Sequence, residues 1–158
     1  MQNLIIRGIT QTKISALKMC ETFDAGPTFT KESLSLHGNA EDIFKRTASV
    51  IAKIIKTICI ERPSPQPQRG EVTLFERRTP EQSKIPNNLT PQQLYDFIRM
   101  LDAPSYPKAF YQNGNMRLEF SGAQLINNEV TANVNFTTVS SPTPSSWVND
   151  TQMGPKNG

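Results

Sequence analysis

The sequence predicts an α/β protein, and three features support this class. Apolar residues recur at helical spacing between residues 39 and 58. Two extended runs precede this helix, and Asn113-Gly114 separates two further strand-like runs. The 158 residues suffice for one ordinary domain, although an apolar fraction of 36% and 12 prolines indicate that part of the length is irregular.

The first predicted elements are the end of a helix over residues 2–9, which Gly8 would terminate, and two extended segments over 13–19 and 28–36. Residues 23–27, Phe-Asp-Ala-Gly-Pro, form a turn between the two segments. The two segments could therefore pair as a β-hairpin.

Asn39 is the predicted N-cap of the clearest helix, with Glu41 and Asp42 in its first turn. We expect this amphipathic helix to pack on a sheet through one apolar stripe, which consists of Ile43, Phe44, Ala48, Ile51, Ile54, Ile55 and Ile58. Three alternating prolines then hold residues 61–70 extended, which predicts a connector over the surface.

A second module is predicted to open with a short strand over residues 71–75 and a charged loop over 76–81. Thr90 then caps a helix, with Pro91 at its first position and Gln93 placed for a capping box. The buried stripe of this helix would consist of Leu94, Phe97, Ile98 and Leu101.

Two hairpins are predicted after this helix. Asn113-Gly114 indicates a type I′ turn, in which both central residues have positive φ. Segments 124–126 and 129–136 would pair around Asn127-Asn128. From residue 137 onward Ser, Pro, Thr, Asn and Gly dominate, which predicts a disordered tail over 137–158.

Composition excludes several classes of protein. The net charge of +3 includes no run of five like charges, so it does not argue for a nucleic-acid-binding arm. Cys20 and Cys59 lie in apolar stretches and are interpreted as small core residues, which favours a reducing cytosol. No apolar run approaches the roughly 20 residues that cross a bilayer. The sequence has no phosphate-binding glycine loop, Cys/His metal set or nucleophile elbow.

Four motifs together carry a resemblance to a known family. They are Phe-Asp-Ala-Gly-Pro at 23–27, Gly-Glu-Val-Thr-Leu-Phe-Glu-Arg-Arg-Thr-Pro-Glu at 70–81, Leu-Tyr-Asp-Phe-Ile-Arg-Met-Leu-Asp-Ala at 94–103 and Tyr-Pro-Lys-Ala-Phe at 106–110. In this order they resemble the C-terminal part of folate-dependent formyltransferases. The resemblance implies the C-terminal half of a Rossmann-like catalytic domain over 1–60, the connector over 61–70, and a small helix-plus-hairpin module over 71–136.

The resemblance also implies a reaction. In this family an amine attacks the formyl carbon of 10-formyltetrahydrofolate, assisted by an Asn, a His and an Asp. Asp24 matches the family's Asp, which orients the His, and Gly26 would let the backbone approach the folate. The Asn and His have no counterpart here, so we expect the chain alone to be inactive. From the residues alone, the favoured interpretation of Asp24 is an Asp-x-Gly turn whose carboxylate binds backbone N–H groups.

The resemblance places Arg77, Arg78 and Glu81 beside the substrate, where the planar fork of arginine suits a diphosphate. The alternative is a charged surface loop. Similarly, Tyr106 and Phe110 could line a sugar or nucleobase pocket or simply pack. His37, the only histidine, is interpreted as a solvated loop residue.

The expected acceptor is the amine of a nucleotide-linked amino sugar, because the tRNA-formylating members carry a larger basic domain, which this sequence does not show. The alternatives are a methionyl-tRNA formyltransferase fragment, a non-catalytic binding module, and one half of a split enzyme whose other chain supplies the N-terminal half. A cytoplasmic protein without a membrane or nucleic-acid partner is expected.

Overall fold

The computed structural model describes residues 1–138. Its elements in chain order are α1 (Gln2–Ile5), β1 (Gln11–Leu17), β2 (Thr28–Ser35), α2 (Ala40–Glu61), a 3-10 turn (Pro80–Ser83), α3 (Pro91–Arg99), β3 (Ala109–Asn113), β4 (Met116–Ile126) and β5 (Glu129–Thr138). The strands form two antiparallel sheets, β1-β2 and β3-β4-β5. None of the helices in this described part is long and apolar enough to cross a membrane.

The first sheet is the predicted hairpin. β1 and β2 pair from Gln11 with Ser35 to Leu17 with Thr28, around the loop that contains residues 23–27. α2 follows with the predicted cap, since Asn39 Oδ1 accepts from the Asp42 N–H at 2.9 Å. Asp42 Oδ2 in turn accepts from the Asn39 N–H at 3.1 Å, so the two residues form a reciprocal capping box.

The predicted apolar stripe of α2 is only partly covered. Ile43 and Ile54 are buried, whereas Phe44, Ile51 and Ile55 are exposed by 38%, 41% and 56%. The reason is that the stripe is wide, while the two-stranded β1-β2 sheet packs against only one edge of it.

The helix α3 has the predicted cap and buried face. Thr90 Oγ1 accepts from the Gln93 N–H at 3.3 Å, and Gln93 Oε1 accepts from the Thr90 N–H at 2.9 Å. Phe97, Ile98 and Leu101 are buried. α3 packs on the three-stranded sheet, with most contacts to β4.

The first of the two hairpin turns of this sheet differs from the prediction in type. At the first, Asn113 pairs with Met116, so the central residues are Gly114 and Asn115, and only Gly114 has positive φ. This is the pattern of a type II′ turn rather than type I′. At the second, Asn127 and Asn128 both have positive φ, as a type I′ turn requires.

The predicted strand over residues 71–75 does not form. Val72 and Leu74 are 86% and 87% exposed, and none of the strands described over residues 1–138 pairs with them in a ladder of hydrogen bonds. Instead, Phe75 lies beneath the guanidinium of Arg7 at 4.8 Å, and the Glu76 carbonyl accepts from Asn3 Nδ2 at 3.1 Å. The segment is therefore an irregular strap over α1.

One hydrophobic core extends through both predicted modules. Its buried members are Ile5, Leu34, Leu36, Ile43, Phe97, Ile98, Met100, Leu101 and Ala109. The first four precede the connector and the rest follow it. The two modules therefore pack as one body, which the separation by a proline-rich connector did not predict.

Two smaller differences concern the chain end and the cysteines. β5 includes Thr137 and Thr138, two residues of the predicted tail, and the rest of that tail lies outside the described residues. Cys20 and Cys59 are both exposed rather than buried. Cys20 falls in the loop after β1, and Cys59 lies near the end of α2, beyond the reach of the sheet.

Candidate functional site

The loop between β1 and β2 presents Asp24 to solvent. Asp24 is exposed and adopts φ 57°, a left-handed conformation that is uncommon for residues other than glycine. Within residues 1–138 its carboxylate accepts no hydrogen bond from the protein. The alternative Asp-x-Gly turn, in which this carboxylate would bind neighbouring N–H groups, is thus not formed in the described part of the chain.

Gly26, two residues after Asp24, is buried where the two ends of the loop approach each other closely. A Cβ at this position would lie 1.8 Å from the backbone oxygen of Lys18, whose N–H donates to the Pro27 carbonyl at 2.8 Å. Only glycine allows this approach of the two loop ends. The role predicted for Gly26 beside a folate remains a prediction.

The proline-rich connector docks on this loop, which sequence reasoning missed. Gln66 and Thr28 exchange two backbone hydrogen bonds, at 2.7 and 2.9 Å. Gln68 Nε2 donates to the carbonyls of Asp24 and Gly26, at 2.6 and 2.8 Å. No local pattern signals these contacts, because each joins residues about 40 positions apart.

A separate cleft lies between the predicted charged loop and the segment after α3. It has a volume of about 630 Å³ and is lined by Gln2, Arg77, Arg78, Thr79, Pro80, Ser83, Leu101, Ser105, Tyr106 and Pro107. The cleft thus combines two guanidinium groups, hydroxyls and an aromatic ring. Such a lining suits a phosphate-bearing ligand.

The two arginines of the cleft differ in their surroundings. Arg77 is exposed, whereas Arg78 is half-buried and desolvation lowers its pKa. Arg78 is fixed by donating to the Gln82 carbonyl and by lying over the Phe97 ring, 5.7 Å from its centroid. Arg78 is therefore held in place, while Arg77 is free to reach into the cleft.

Glu81 does not line this cleft. It lies in the 3-10 turn, and a hydrogen bond from the Thr79 side chain lowers the pKa of its carboxyl group, with a backbone hydrogen bond adding to the effect. The carboxylate thus stabilises its own turn. Among the described residues, Glu81 forms no salt bridge with Arg77 or Arg78 of the predicted substrate set.

The structure gives different environments to Tyr106 and Phe110, whose roles the sequence did not distinguish. Tyr106 lines the cleft and packs edge-on against Phe44 of α2, with ring centroids 5.4 Å apart. Burial raises the pKa of its hydroxyl. Phe110 is buried beneath Arg117, whose guanidinium lies 3.7 Å from the ring centroid. Phe110 is therefore a packing residue and Tyr106 a candidate for ligand contact.

The predicted site residues thus fall into two places. Arg77 and Arg78 share the cleft, and Asp24 and Gly26 share the β1-β2 loop, which contributes no residue to that cleft. His37 is exposed at the entry to α2, where its carbonyl accepts from Arg46. Among residues 1–138, no cluster of three His, Cys, Asp or Glu side chains could hold a metal ion.

Three comparisons with known proteins agree on the family. Residues 80–137 match the family model described as methionyl-tRNA formyltransferase, C-terminal domain. Methionyl-tRNA formyltransferase of Mesoplasma florum is 28% identical over 138 residues, which are 83% of this chain and 44% of that protein. The solved methionyl-tRNA formyltransferase from Clostridium thermocellum is 46% identical with a TM-score of 0.83, covering 87% of this chain and 61% of that one.

A more distant solved structure shares the fold alone. HypX from Aquifex aeolicus, determined in complex with tetrahydrofolic acid, is 12% identical with a TM-score of 0.58 over 77% of this chain and 22% of its own.

The chain spans less than two thirds of the length of these relatives. The matches confirm the predicted fold class and the predicted resemblance. The amino-sugar acceptor is not confirmed, since the relatives at 28% and 46% identity are both methionyl-tRNA formyltransferases. The chain is thus similar to the C-terminal part of methionyl-tRNA formyltransferases, as the predicted resemblance implied.

Proposed function

We propose that this chain forms the C-terminal part of an enzyme that transfers a formyl group to the amine of methionyl-tRNA. The observation that carries the proposal is the 46% identity and TM-score of 0.83 with the Clostridium thermocellum methionyl-tRNA formyltransferase over 87% of this chain. The amino-sugar acceptor expected from the sequence becomes the second candidate. A split-enzyme arrangement remains compatible with either acceptor.

Asp24 is the residue of this chain that we propose takes part in catalysis. Its carboxylate is exposed and, within the described residues, free of protein hydrogen bonds, while its backbone is held by Gln68. A free carboxylate on a fixed backbone suits the orientation of a general base and stabilisation of the positive charge which that base acquires. The base itself would come from the part of the relatives that this chain does not span.

The proposed cofactor is 10-formyltetrahydrofolate, which would supply the formyl group when bound. The ligand named for the HypX structure, tetrahydrofolic acid, is consistent with this choice. From this chain, the residues nearest to such a ligand would be those of the β1-β2 loop, with Asp24 carrying the charge. Gly26 would contribute by keeping the loop tightly closed against Lys18.

We assign Arg77 and Arg78 to the phosphates of the acceptor. The half-buried Arg78 is preset by Gln82 and Phe97, and the exposed Arg77 lies beside Tyr106 in the same cleft. A guanidinium fork pairs with phosphate oxygens of either tRNA or a nucleotide diphosphate. The cleft therefore fits both acceptors, and the choice between them rests on the relatives. We do not assign Glu81 a contact with the acceptor, because it stabilises its own turn.

The exposed face of α2 is the proposed docking surface for the remainder of the enzyme. Phe44, Ala48, Ile51 and Ile55 are spaced four, three and four residues apart, so they form one continuous stripe. Such a stripe is unfavourable in water unless it is covered. The relatives are longer than this chain, and we propose that their additional N-terminal part packs here, whether as the same polypeptide or as a separate one.

A chimera tests the proposed function. This chain would replace the corresponding part of the Clostridium thermocellum enzyme, and formylation of methionyl-tRNA and of a nucleotide-linked amino sugar would be measured with 10-formyltetrahydrofolate. We expect product with methionyl-tRNA. Asp24→Asn should lower kcat by roughly 10²- to 10⁴-fold, the range of an acid–base contribution.

Glu21→Gln is the matched control, because Glu21 is an exposed carboxylate three residues away in the same loop. It should leave kcat within about twofold of the parent chimera, as expected for a surface substitution. A folded chimera that formylates only the amino sugar would reverse the assignment of acceptor. A folded chimera that formylates neither would contradict the proposed function.

A further inference from the structure

Gln68 joins the connector to two carbonyls of the β1-β2 loop, those of Asp24 and Gly26. Its Nε2 atom donates to the Asp24 carbonyl at 2.6 Å and to the Gly26 carbonyl at 2.8 Å. A side-chain amide has two N–H donors, and these two carbonyls use both of them. The loop carbonyls are 44 and 42 residues away in sequence, so this contact depends on the tertiary fold.

The backbone around Gln68 is itself fixed. Two residues earlier, Gln66 exchanges two backbone hydrogen bonds with Thr28, at the start of β2. Pro65 and Pro67 restrict the connector to extended conformations, so little further backbone freedom is lost when the Gln68 side chain binds the loop. Gln68 therefore reaches the loop from a rigid support.

The Lys18–Pro27 hydrogen bond closes the base of the loop, but within residues 1–138 few other contacts could determine the shape of its tip. The Ala25 N–H donates to the Thr22 carbonyl at 3.4 Å, which is long for a hydrogen bond. Cys20 Sγ contacts the same carbonyl at 3.1 Å. Asp24 meanwhile occupies a left-handed conformation, which carries a steric cost for a residue with a Cβ. The two bonds from Gln68 are the contacts best placed to maintain it.

We propose that Gln68 is a positioning residue for the proposed catalytic carboxylate of Asp24, acting by hydrogen bonds to the carbonyls of Asp24 and Gly26. This inference rests on the proposed function. Rotation about the Asp24 backbone would redirect its side chain, so the Gln68 bonds fix where the carboxylate points. The same connector continues to Arg77 and Arg78, which links the placement of the catalytic loop to that of the acceptor-binding cleft.

The first test is independent of catalysis and uses the full chain. Phe23 is 97% exposed in the loop, so chymotrypsin cleavage after Phe23 reports how readily the loop opens. Gln68→Glu preserves the size of the side chain but replaces both donors by acceptors. We expect cleavage after Phe23, followed by mass spectrometry, to become faster by on the order of 10-fold, since two hydrogen bonds are lost.

Gln66→Glu is the matched control. Gln66 is likewise exposed in the connector, but within residues 1–138 its side-chain amide donates only to the nearby Ser64 carbonyl, at 3.4 Å, and its bridge to Thr28 uses backbone atoms. Cleavage after Phe23 should then stay within about twofold of the parent rate. Equal cleavage rates for the two variants would overturn the proposal, whatever their activity.

The second test separates positioning from simple loop stability. In the active chimera, Gln68→Glu should lower kcat at least about 10-fold and leave KM for the acceptor unchanged, because Gln68 does not line the cleft of Arg77 and Arg78. Faster cleavage with an unchanged kcat would refute the positioning role. If the parent chimera forms no product, the proposed function fails, and the cleavage rates alone decide whether Gln68 holds the loop.

Discussion

Two carboxylates of this protein occupy opposite environments. Asp102 is 8% exposed, and both of its oxygens accept short hydrogen bonds, Oδ1 from Lys108 Nζ at 2.6 Å and Oδ2 from the Gly122 N–H at 2.7 Å. Asp24 is exposed, and its carboxylate accepts no hydrogen bond within residues 1–138 while its main chain is held by Gln68. The Asp102 carboxylate therefore stabilises the fold through its two hydrogen bonds. The Asp24 carboxylate makes no such contribution within the described residues, although its main chain is fixed.

The buried region continues through Arg99. Its Nε donates to Asp96 Oδ1 at 2.7 Å, and its Nη1 donates to the carbonyls of Leu36 and Gly38 at 2.6 and 2.9 Å. Arg99 thus ties α3 to the loop before α2, across the two predicted modules. The buried charges of Asp96, Arg99 and Asp102 are thus paired within the fold. The Asp24 carboxylate, which is proposed to act in the reaction, has no such partner within residues 1–138.

Arg99→Ala is the change with the largest expected effect on the buried region. It leaves Asp96 buried without its cation, and it removes the donors to two carbonyls beside α2. Breaking a buried ion pair in this way typically costs about 3–5 kcal/mol in the free energy of unfolding. Urea unfolding of the full chain, followed by circular dichroism, measures this loss.

Arg46→Ala is the control for Arg99. Arg46 also donates to carbonyls of this loop, those of Ser35 and His37, but it is only half-buried and pairs with no carboxylate in the described part of the chain. Its removal should cost about 1 kcal/mol. Equal losses for the two variants would show that the Asp96–Arg99 pair adds nothing beyond the carbonyl contacts.

Asp102→Asn is expected to have the next largest effect. The amide keeps one acceptor, but its NH2 group must face either Lys108 or the Gly122 N–H, both of which are donors. One buried donor is left unsatisfied, which costs about 1–3 kcal/mol. The same urea titration measures it, and an unchanged midpoint would mean that water replaces the lost acceptor.

Local sequence signals predicted much of the fold because their physics is local. The caps at Asn39 and Thr90 involve residues three apart, and the strand pair around residues 23–27 follows from one turn. The failures are equally informative. Residues 71–75 have the composition of a strand but no partner to pair with, and the exposure of Phe44 on α2 depends on a sheet that covers one side only.

The candidate site was less predictable from the sequence. Asp24 and the pair Arg77 and Arg78 entered through family resemblance, since an exposed Asp in a turn and two arginines in a loop have no specific physical signature. Gln68 could not have been found, because its role is defined by carbonyls 44 and 42 residues away. The family resemblance also grouped Glu81 with the arginines, yet its carboxylate binds within its own turn.

Asp24→Asn should have the smallest effect on stability, and it is the sharpest test of the comparison with Asp102. Asparagine tolerates the left-handed conformation at φ 57° as well as aspartate does, and within the described residues no hydrogen bond to the carboxylate is lost. The free energy of unfolding should therefore change by less than about 0.5 kcal/mol. The identical substitution at Asp102 is the internal control, because it removes the same charge from a buried and fully bonded site. If Asp24→Asn destabilises the chain as much as Asp102→Asn does, the Asp24 carboxylate has a structural partner. The proposal that this carboxylate is available for formyl-transfer chemistry would then be wrong.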